Sequence, residues 1–449
     1  MYVALLPNRR TVRFDSVKKR RALLEIFRHR EPRLLITGQT VSGFGDGIAN
    51  VALTLLVLDT THSVSRLAVF AAARMVPTVA FLLIGGAIVD RFSRRLLLLL
   101  SDLSRALLTA ALVAFIVSGT LQFWELLVFA VLFGTFDAVF MPAISALTPE
   151  IVPEDLLNAM NAVRPLSSSF VGNMLGPAVG GLLAAWSTSF ALSVDCATFF
   201  VSAGALILMH ATPKPPSSDE ANMFHEIRVG LRYVRKNAWI WTTLVGVSLP
   251  NAILFVPTSV LLPFYLVHDL HSHKFVVGLL FAAFGLAGTF GALYAGSMKT
   301  PRHRIRVMWS VWTFGAASAL TMGFATHTWE VFIMPIVSAP TMYIGNVIWE
   351  SMIQSEVPRE LLGRVASVDW FVSLGISPIG LVLAGALSSR FGVQRYFVVA
   401  GLICLIPGIL ILISRKVNAI DAHREPSELT QTSEPGSVLS TPLEGPPPD

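Results

Sequence analysis

Several acids and bases stand inside apolar runs, where an ionised side chain is costly unless paired or wetted. Asp46, Asp137 and Glu350 lie among Leu, Val, Ala and Phe, and Arg74 lies in a run of its own. Asp46 is twelve residues into the run that begins at 34, roughly 18 Å deep at about 1.5 Å per residue. Arg74, counted back from Val89, comes out at roughly 22 Å on the same rise. Equal depth permits an Asp46–Arg74 ion pair, which could be purely structural. Gln39, Ser42, Asp46 and Asn50 also share one helical stripe. A polar stripe on an apolar helix faces a water-filled cavity or the bundle interior. On that reading Asp46 and Asp137 are the groups that take up and release protons, and Arg74 tunes Asp46.

Other polar and aromatic positions follow the same spacing. Phe133, Phe136, Asp137 and Phe140 form one stripe, and Tyr343, Asn346 and Glu350 another. Aromatics so spaced also serve core packing, but these alternate with acids that packing does not need. Asn251 lies in a run interrupted by Pro250, Pro257 and Pro263. A helix broken in this way exposes carbonyls only where it lines protein or water. These residues, with Gln39 and Asn50, are candidates for a substrate path. No phosphate loop occurs, nor even a Gly-Lys pair, so nucleotide-driven work by this chain is not expected. His268, His271 and His273 sit in a polar loop and read as solvated, so no metal and no cofactor are expected. No nucleophile–base constellation appears, which argues against an enzyme.

The elements that must position these groups are membrane spans. The chain has 449 residues, 53% hydrophobic and 14% charged, with mean hydropathy +0.65. Soluble domains carry roughly 25% charge, so lipid solvates most of this one. A span needs about 20 apolar residues. Twelve such runs are legible: 34–58, 66–89, 96–117, 123–147, 161–185, 189–209, 238–266, 275–298, 305–325, 329–352, 364–388 and 394–414. Asp102 and Arg105, three apart in the third, suggest an intrahelical ion pair. Lys and Arg crowd into alternate loops and both tails, leaving only Arg66, Lys274, Arg390 and Arg395 opposite. The positive-inside rule therefore puts both termini in the cytoplasm. The net charge of +6 reports this topology and not a nucleic-acid groove.

Glu150-Ile-Val-Pro-Glu-Asp-Leu-Leu157 recurs as Glu356-Val-Pro-Arg-Glu-Leu-Leu362, one residue shorter. Each copy precedes a Gly- and Pro-bearing run, as two six-helix halves require. The chain divides into a basic tail at 1–33, a first half at 34–209, a linker at 210–237, a second half at 238–414, and a tail at 415–449. The linker is polar, then amphipathic, and reads as a surface helix. The N-tail either binds anionic lipid or is a dispensable solvated extension. The C-tail, rich in Pro, Ser, Thr and Glu, reads as disordered.

Two stretches carry a family likeness. Gly86-x-x-x-Asp90-Arg91-x-x-Arg94-Arg95, between the second and third runs, resembles the corresponding loop of the major facilitator superfamily, with Ser93 in place of a usual Gly. A basic loop that only sets orientation is the plainer reading. The resemblance implies a latch between the halves during alternating access. In the fifth run, Gly172-x-x-x-Gly176-Pro177-x-x-Gly180-Gly181 is similar to the antiporter motif of that superfamily. It could equally be a generic tight crossing. The family pattern has a further Gly where this chain has Val163. Ala73-Arg74-Met-Val-Pro77 and Gly230-Leu-Arg-Tyr-Val-Arg235 resemble the bacterial branch of drug and siderophore exporters. Met141-Pro142-Ala143-Ile144 departs from that branch.

The resemblance implies an all-α membrane protein of twelve transmembrane helices in two six-helix halves, the major facilitator fold. It also implies a proton-coupled exporter of small amphipathic molecules, working as a monomer in the cell membrane. An uptake symporter and a membrane sensor or scaffold that transports nothing are the alternatives.

Overall fold

The computed structural model describes residues 25–153, 156–157, 160, 163, 167–210, 223–298 and 301–414, with the side chains of 82–91, 168–169, 223–227 and 359 left aside. The basic N-tail up to residue 24, the Pro-rich stretch at 213–216 and the C-tail lie outside the described residues. Among those described, helices carry the whole architecture and no strand occurs. That is what lipid demands, because every backbone polar group must be satisfied within its own segment.

The first half contains α1 (Arg30–Thr61), α2 (Val64–Arg91), α3 (Arg94–Ser118) and α4 (Phe123–Ile151). It continues with α5 (Ser168–Trp186, π-helical as far as Leu175) and α6 (Thr188–Leu208). A short helix, α7 (Met223–Lys236), crosses to the second half. There follow α8 (Ala238–Asp269), α9 (Phe275–Ser297), α10 (Arg304–Ala317), α11 (Thr328–Glu356), α12 (Leu362–Phe391) and α13 (Val393–Ile413). Ten of these are long and apolar enough to cross a membrane, and Phe170–Trp186 is a shorter apolar helix. α10 tightens into a 3-10 turn over Ser318–Gly323, which extends its reach.

Local signals set the ends. The Ser63 and Ser187 hydroxyls accept from the backbone N–H groups of Arg66 and Phe190, and Gln122 with Glu125 forms a capping box. Gly119, at φ +70°, closes α3 in the left-handed conformation that glycine tolerates. The prolines of α8 do not break it, contrary to the sequence reading. The helix runs on through π turns at Asn251–Phe255 and Tyr265–Asp269. The wider turn absorbs the ring where a donor is lost.

Within the first half α1 packs along α6 and α5, α2 along α4, and α3 along α4 and α6. The halves meet where α2 packs on α12 and α5 on α9. Two polar contacts tie them at the face away from the termini. Lys274 donates to Asp59 at 2.6 Å, and the Ser65 hydroxyl donates to the Gly385 carbonyl at 3.1 Å. α7 lies under the second half, with Val234 buried among Trp239, Ile240, Ile353 and Val365.

Candidate functional site

Arg105 is the hub of the first half. Its side chain is 1% exposed, and it takes three carboxylates from three helices. Nη2 donates to Asp102 Oδ1, one turn back on α3, at 2.6 Å. Nη1 lies 3.6 Å from Asp46 Oδ1 on α1 and 3.4 Å from Asp137 Oδ1 on α4. The guanidinium also lies against Phe199 at 4.5 Å and Phe140 at 4.8 Å, contacts favourable for a desolvated cation. Asp102 is sealed, whereas the Asp46 and Asp137 side chains remain 34% and 38% exposed. The latter two are therefore the acids that solvent reaches.

Asp195 on α6 completes the surroundings. It is fully buried, and neither carboxyl oxygen has a hydrogen-bond partner. α1 reaches α6 here because Gly45 has no side chain. A Cβ at Gly45 would stand 2.0 Å from Thr198 Oγ1 and 2.7 Å from Asp195 Oδ1.

Arg74 is not Asp46's partner. No ion pair within 4 Å joins them among the described residues, and the Arg74 guanidinium stacks on Phe133 at 4.8 Å. A depth count leaves azimuth open. α2 is held to α4 instead, where the Arg74 carbonyl lies so close over Gly134 that a Cβ there would come within 2.1 Å of it. The polar stripe of α1 also divides. Gln39 donates to Ser202 on α6 at 3.1 Å, Ser42 is buried, Asp46 meets Arg105, and Asn50 is exposed. On α4, the Phe136 carbonyl accepts from Ser101 at 2.8 Å.

The second half holds a cavity of about 810 Å³ between α8, α10, α11, α12 and α13. Asn251, Asn346 and Glu350 line it together with Trp309, Trp312, Trp349, Trp370 and Asp369. Asp369 accepts from Trp349 Nε1 at 2.7 Å and from the Ser373 hydroxyl at 3.1 Å. Asn251 donates to the Ser373 carbonyl at 3.1 Å. Tyr343 is absent from the lining, because its ring packs on Gly288 of α9.

The glycines of α5 divide between two neighbours. A Cβ at Gly176 would stand 2.8 Å from the Phe44 carbonyl, and one at Gly180 would stand 2.7 Å from the Ile48 Cα, both on α1. Gly172 faces the Gly43 carbonyl of α1 as well. Gly181 alone of the four meets the other half, where its Cβ would stand 2.7 Å from the Gly278 Cα on α9. An antiporter motif that couples the halves would face α9 throughout. Most of it instead seats α1, the helix that carries Asp46, and Pro177 follows the π turn at the head of the α-helical segment.

Residues 23–441 match the family of transmembrane secretion effectors, MFS_3. The chain belongs to that family. The multidrug efflux pump Tap of Mycobacterium bovis is 29% identical over 409 residues, covering 85% of this chain and 93% of its own. Macrolide efflux protein A of Streptococcus pyogenes is 22% identical, covering 86% and 96%. Among solved structures, the nucleoside transporter NupG superposes with a TM-score of 0.65 at 12% identity, over 85% of this chain and 100% of that one. A bacterial homologue of the iron transporter ferroportin gives 0.64 at 15%, over 85% and 98%. The secretion effector is thus an all-α membrane transporter of twelve helices in two six-helix halves, with the major facilitator fold.

At the start of α3 of this secretion effector, Arg94 pairs with Glu150 at the end of α4. Arg95 donates to the Leu206 and Ile207 carbonyls at 2.7 and 2.8 Å, satisfying the end of α6. Both contacts stay within the first half. The side chains of Asp90 and Arg91, and the surroundings of Gly86, lie outside the described residues. Sequence reasoning missed Asp195, Asp369 and Phe199, and read Arg105 only as the partner of Asp102. The available signal was a lone acid in each of two apolar runs.

Proposed function

We propose that this secretion effector is a proton-coupled secondary exporter of small amphipathic organic molecules, working by alternating access in the cell membrane with both termini in the cytoplasm. The observation that carries the reading is the pair of half-open carboxylates, Asp46 and Asp137, on one nitrogen of the sealed Arg105. A proton on either acid removes one of the attractions joining α1 or α4 to α3, and losing it restores the contact. Such a switch biases helix positions by charge alone, through a difference in interaction between two states. Arg105 keeps its charge throughout, since guanidinium does not deprotonate in proteins. The cavity among α8, α10, α11 and α12 takes the substrate, and Asn251, Asn346 and Glu350 meet it there. Neither nucleotide nor metal enters the cycle, and one chain suffices. The named relatives are efflux proteins, which favours export over uptake.

The test is loading of inverted membrane vesicles over a panel of amphipathic compounds, with the lumen made acid. Gradient-dependent loading is expected, and Asp46→Asn or Asp137→Asn should abolish it. Substrate leaving the vesicles with protons would make the chain an uptake symporter. Failure to move any compound would favour the sensor or scaffold.

A further inference from the structure

The second-half cavity is unbalanced in charge. Of the side chains that line it, only Glu350 and Asp369 are charged, and no Lys, Arg or His is among them. The two hydrogen bonds that Asp369 accepts come from neutral donors, Trp349 and Ser373, so its charge is not cancelled. Glu350 is exposed, and among the described residues nothing pairs with it. The rest of the wall is largely apolar, with four Trp indoles. Three acids of the first half, by contrast, gather on Arg105.

A drug-sized molecule fits about 810 Å³. Its charge decides whether it is welcome. Two carboxylates without a counter-ion attract a cation and repel an anion, and indole rings favour a cation with an apolar body. An inorganic ion is a poor match. No group of three or more His, Cys, Asp or Glu placed to hold a metal occurs among the described residues.

We propose that this cavity is the binding site for a monovalent organic cation with an aromatic or apolar body. Glu350 meets its charge, and Asp369 acts as a positioning residue that orients Trp349. The site is distinct from the carboxylates on Arg105, so substrate and proton do not compete for the same acid. That this cation is the exported cargo rests on the exporter reading above; that it binds does not.

The experiment is equilibrium calorimetry on the purified full chain in detergent, at fixed pH and without any gradient. Tetraphenylphosphonium and tetraphenylborate serve as probes, with the same four phenyl groups and opposite charge. The phosphonium should bind saturably and the borate should not. Glu350→Gln should weaken phosphonium binding at least about tenfold, while Glu350→Asp keeps most of it. Because Glu350 is exposed, both variants should elute as folded protein. Asp46→Asn and Asp137→Asn should keep saturable phosphonium binding and the preference over the borate, because neither acid lines the cavity.

Equal binding of both probes, or an unchanged affinity in Glu350→Gln, would overturn the proposal. Loss of binding in Asp46→Asn or Asp137→Asn would overturn the separation of the sites. Vesicles that fail to load although binding is intact would refute the exporter reading and leave the cation site standing.

Discussion

The two halves of this transporter answer the same problem in opposite ways. Each must keep acids inside an apolar bundle. The first half gathers three of its acids, Asp46, Asp102 and Asp137, on Arg105 with aromatic rings around the guanidinium, and buries Asp195 beside them without a hydrogen-bond partner. The second half uses neutral donors on Asp369 and leaves Glu350 beside open space. The repeat makes the contrast sharper. Counting back the same thirteen residues from Glu150 and from Glu356 reaches Asp137 in one half and Tyr343 in the other. Where the first half places an acid, the second places an aromatic ring packed on a glycine. A cluster of compensated charges is stiff and switchable by a proton, whereas an uncompensated one is a receptor for a charge brought from outside.

The largest break in this contrast should come from Arg105. Arg105→Met leaves buried carboxylates without their cation, a change that costs about 3–5 kcal/mol where an ion pair loses one partner. Thermal unfolding in detergent should show the loss, and Asp102→Asn in the same chain should return part of it. A double-mutant cycle with purely additive effects would mean that the hub holds nothing together.

A milder change tests the other half. Trp349→Phe keeps an aromatic ring but removes the donor to Asp369 Oδ2. A hydrogen bond to a charged acceptor is worth about 1.5–3 kcal/mol, so the variant should lose less stability than Arg105→Met. If the two losses match, the second half depends on its polar contact as heavily as the first, and the contrast fails.

How much of this was legible beforehand follows from what hydropathy measures. Apolar runs of span length have few alternatives in lipid, so the helical architecture and the two halves could be read from composition and repeat. Some helices outrun their apolar runs, as α1 (Arg30–Thr61 against 34–58) and the start of α2 (Val64 against 66) do, because polar first turns and caps such as Ser63 are discarded by hydropathy. The site was harder. Asp46 and Asp137 were visible as acids at depth, but their shared partner was not. A linear count gives the depth of Arg74 and says nothing of which neighbour its helix faces. The small residues decide that: Gly134 commits α2 to α4, and Gly45 and Gly47 commit α1 to α6 and α5. The glycines of α5 show the same limit. Their spacing announces a close helix, not which one. Asp195 and Asp369 are each the lone acid of an apolar run, a signal that needs no structure.

The smallest effect on stability should come from the contact that joins the two halves. Lys274 and Asp59 are 40% and 38% exposed, although 2.6 Å apart. Exposed pairs contribute about 0.2–1 kcal/mol and are screened by salt, so Lys274→Gln should leave thermal unfolding nearly unchanged. Its consequence lies elsewhere. The pair spans the halves at the face away from the termini, beside the Ser65–Gly385 contact, and it can form only while those ends are together. A contact made in one state alone shifts the balance by its full worth, and about 1 kcal/mol is roughly a fivefold change in population. With Cys196 and Cys404 replaced by Ala, a cysteine at Ser65 reports whether that face is open. Lys274→Gln should speed its reaction with a membrane-impermeant thiol reagent by up to about fivefold. Added salt should speed the parent and have little further effect on the variant. Labelling that ignores both the substitution and the salt would mean the halves close by packing, such as Gly181 on Gly278 and Gly385 on Ala68, with no electrostatic contribution from the ends.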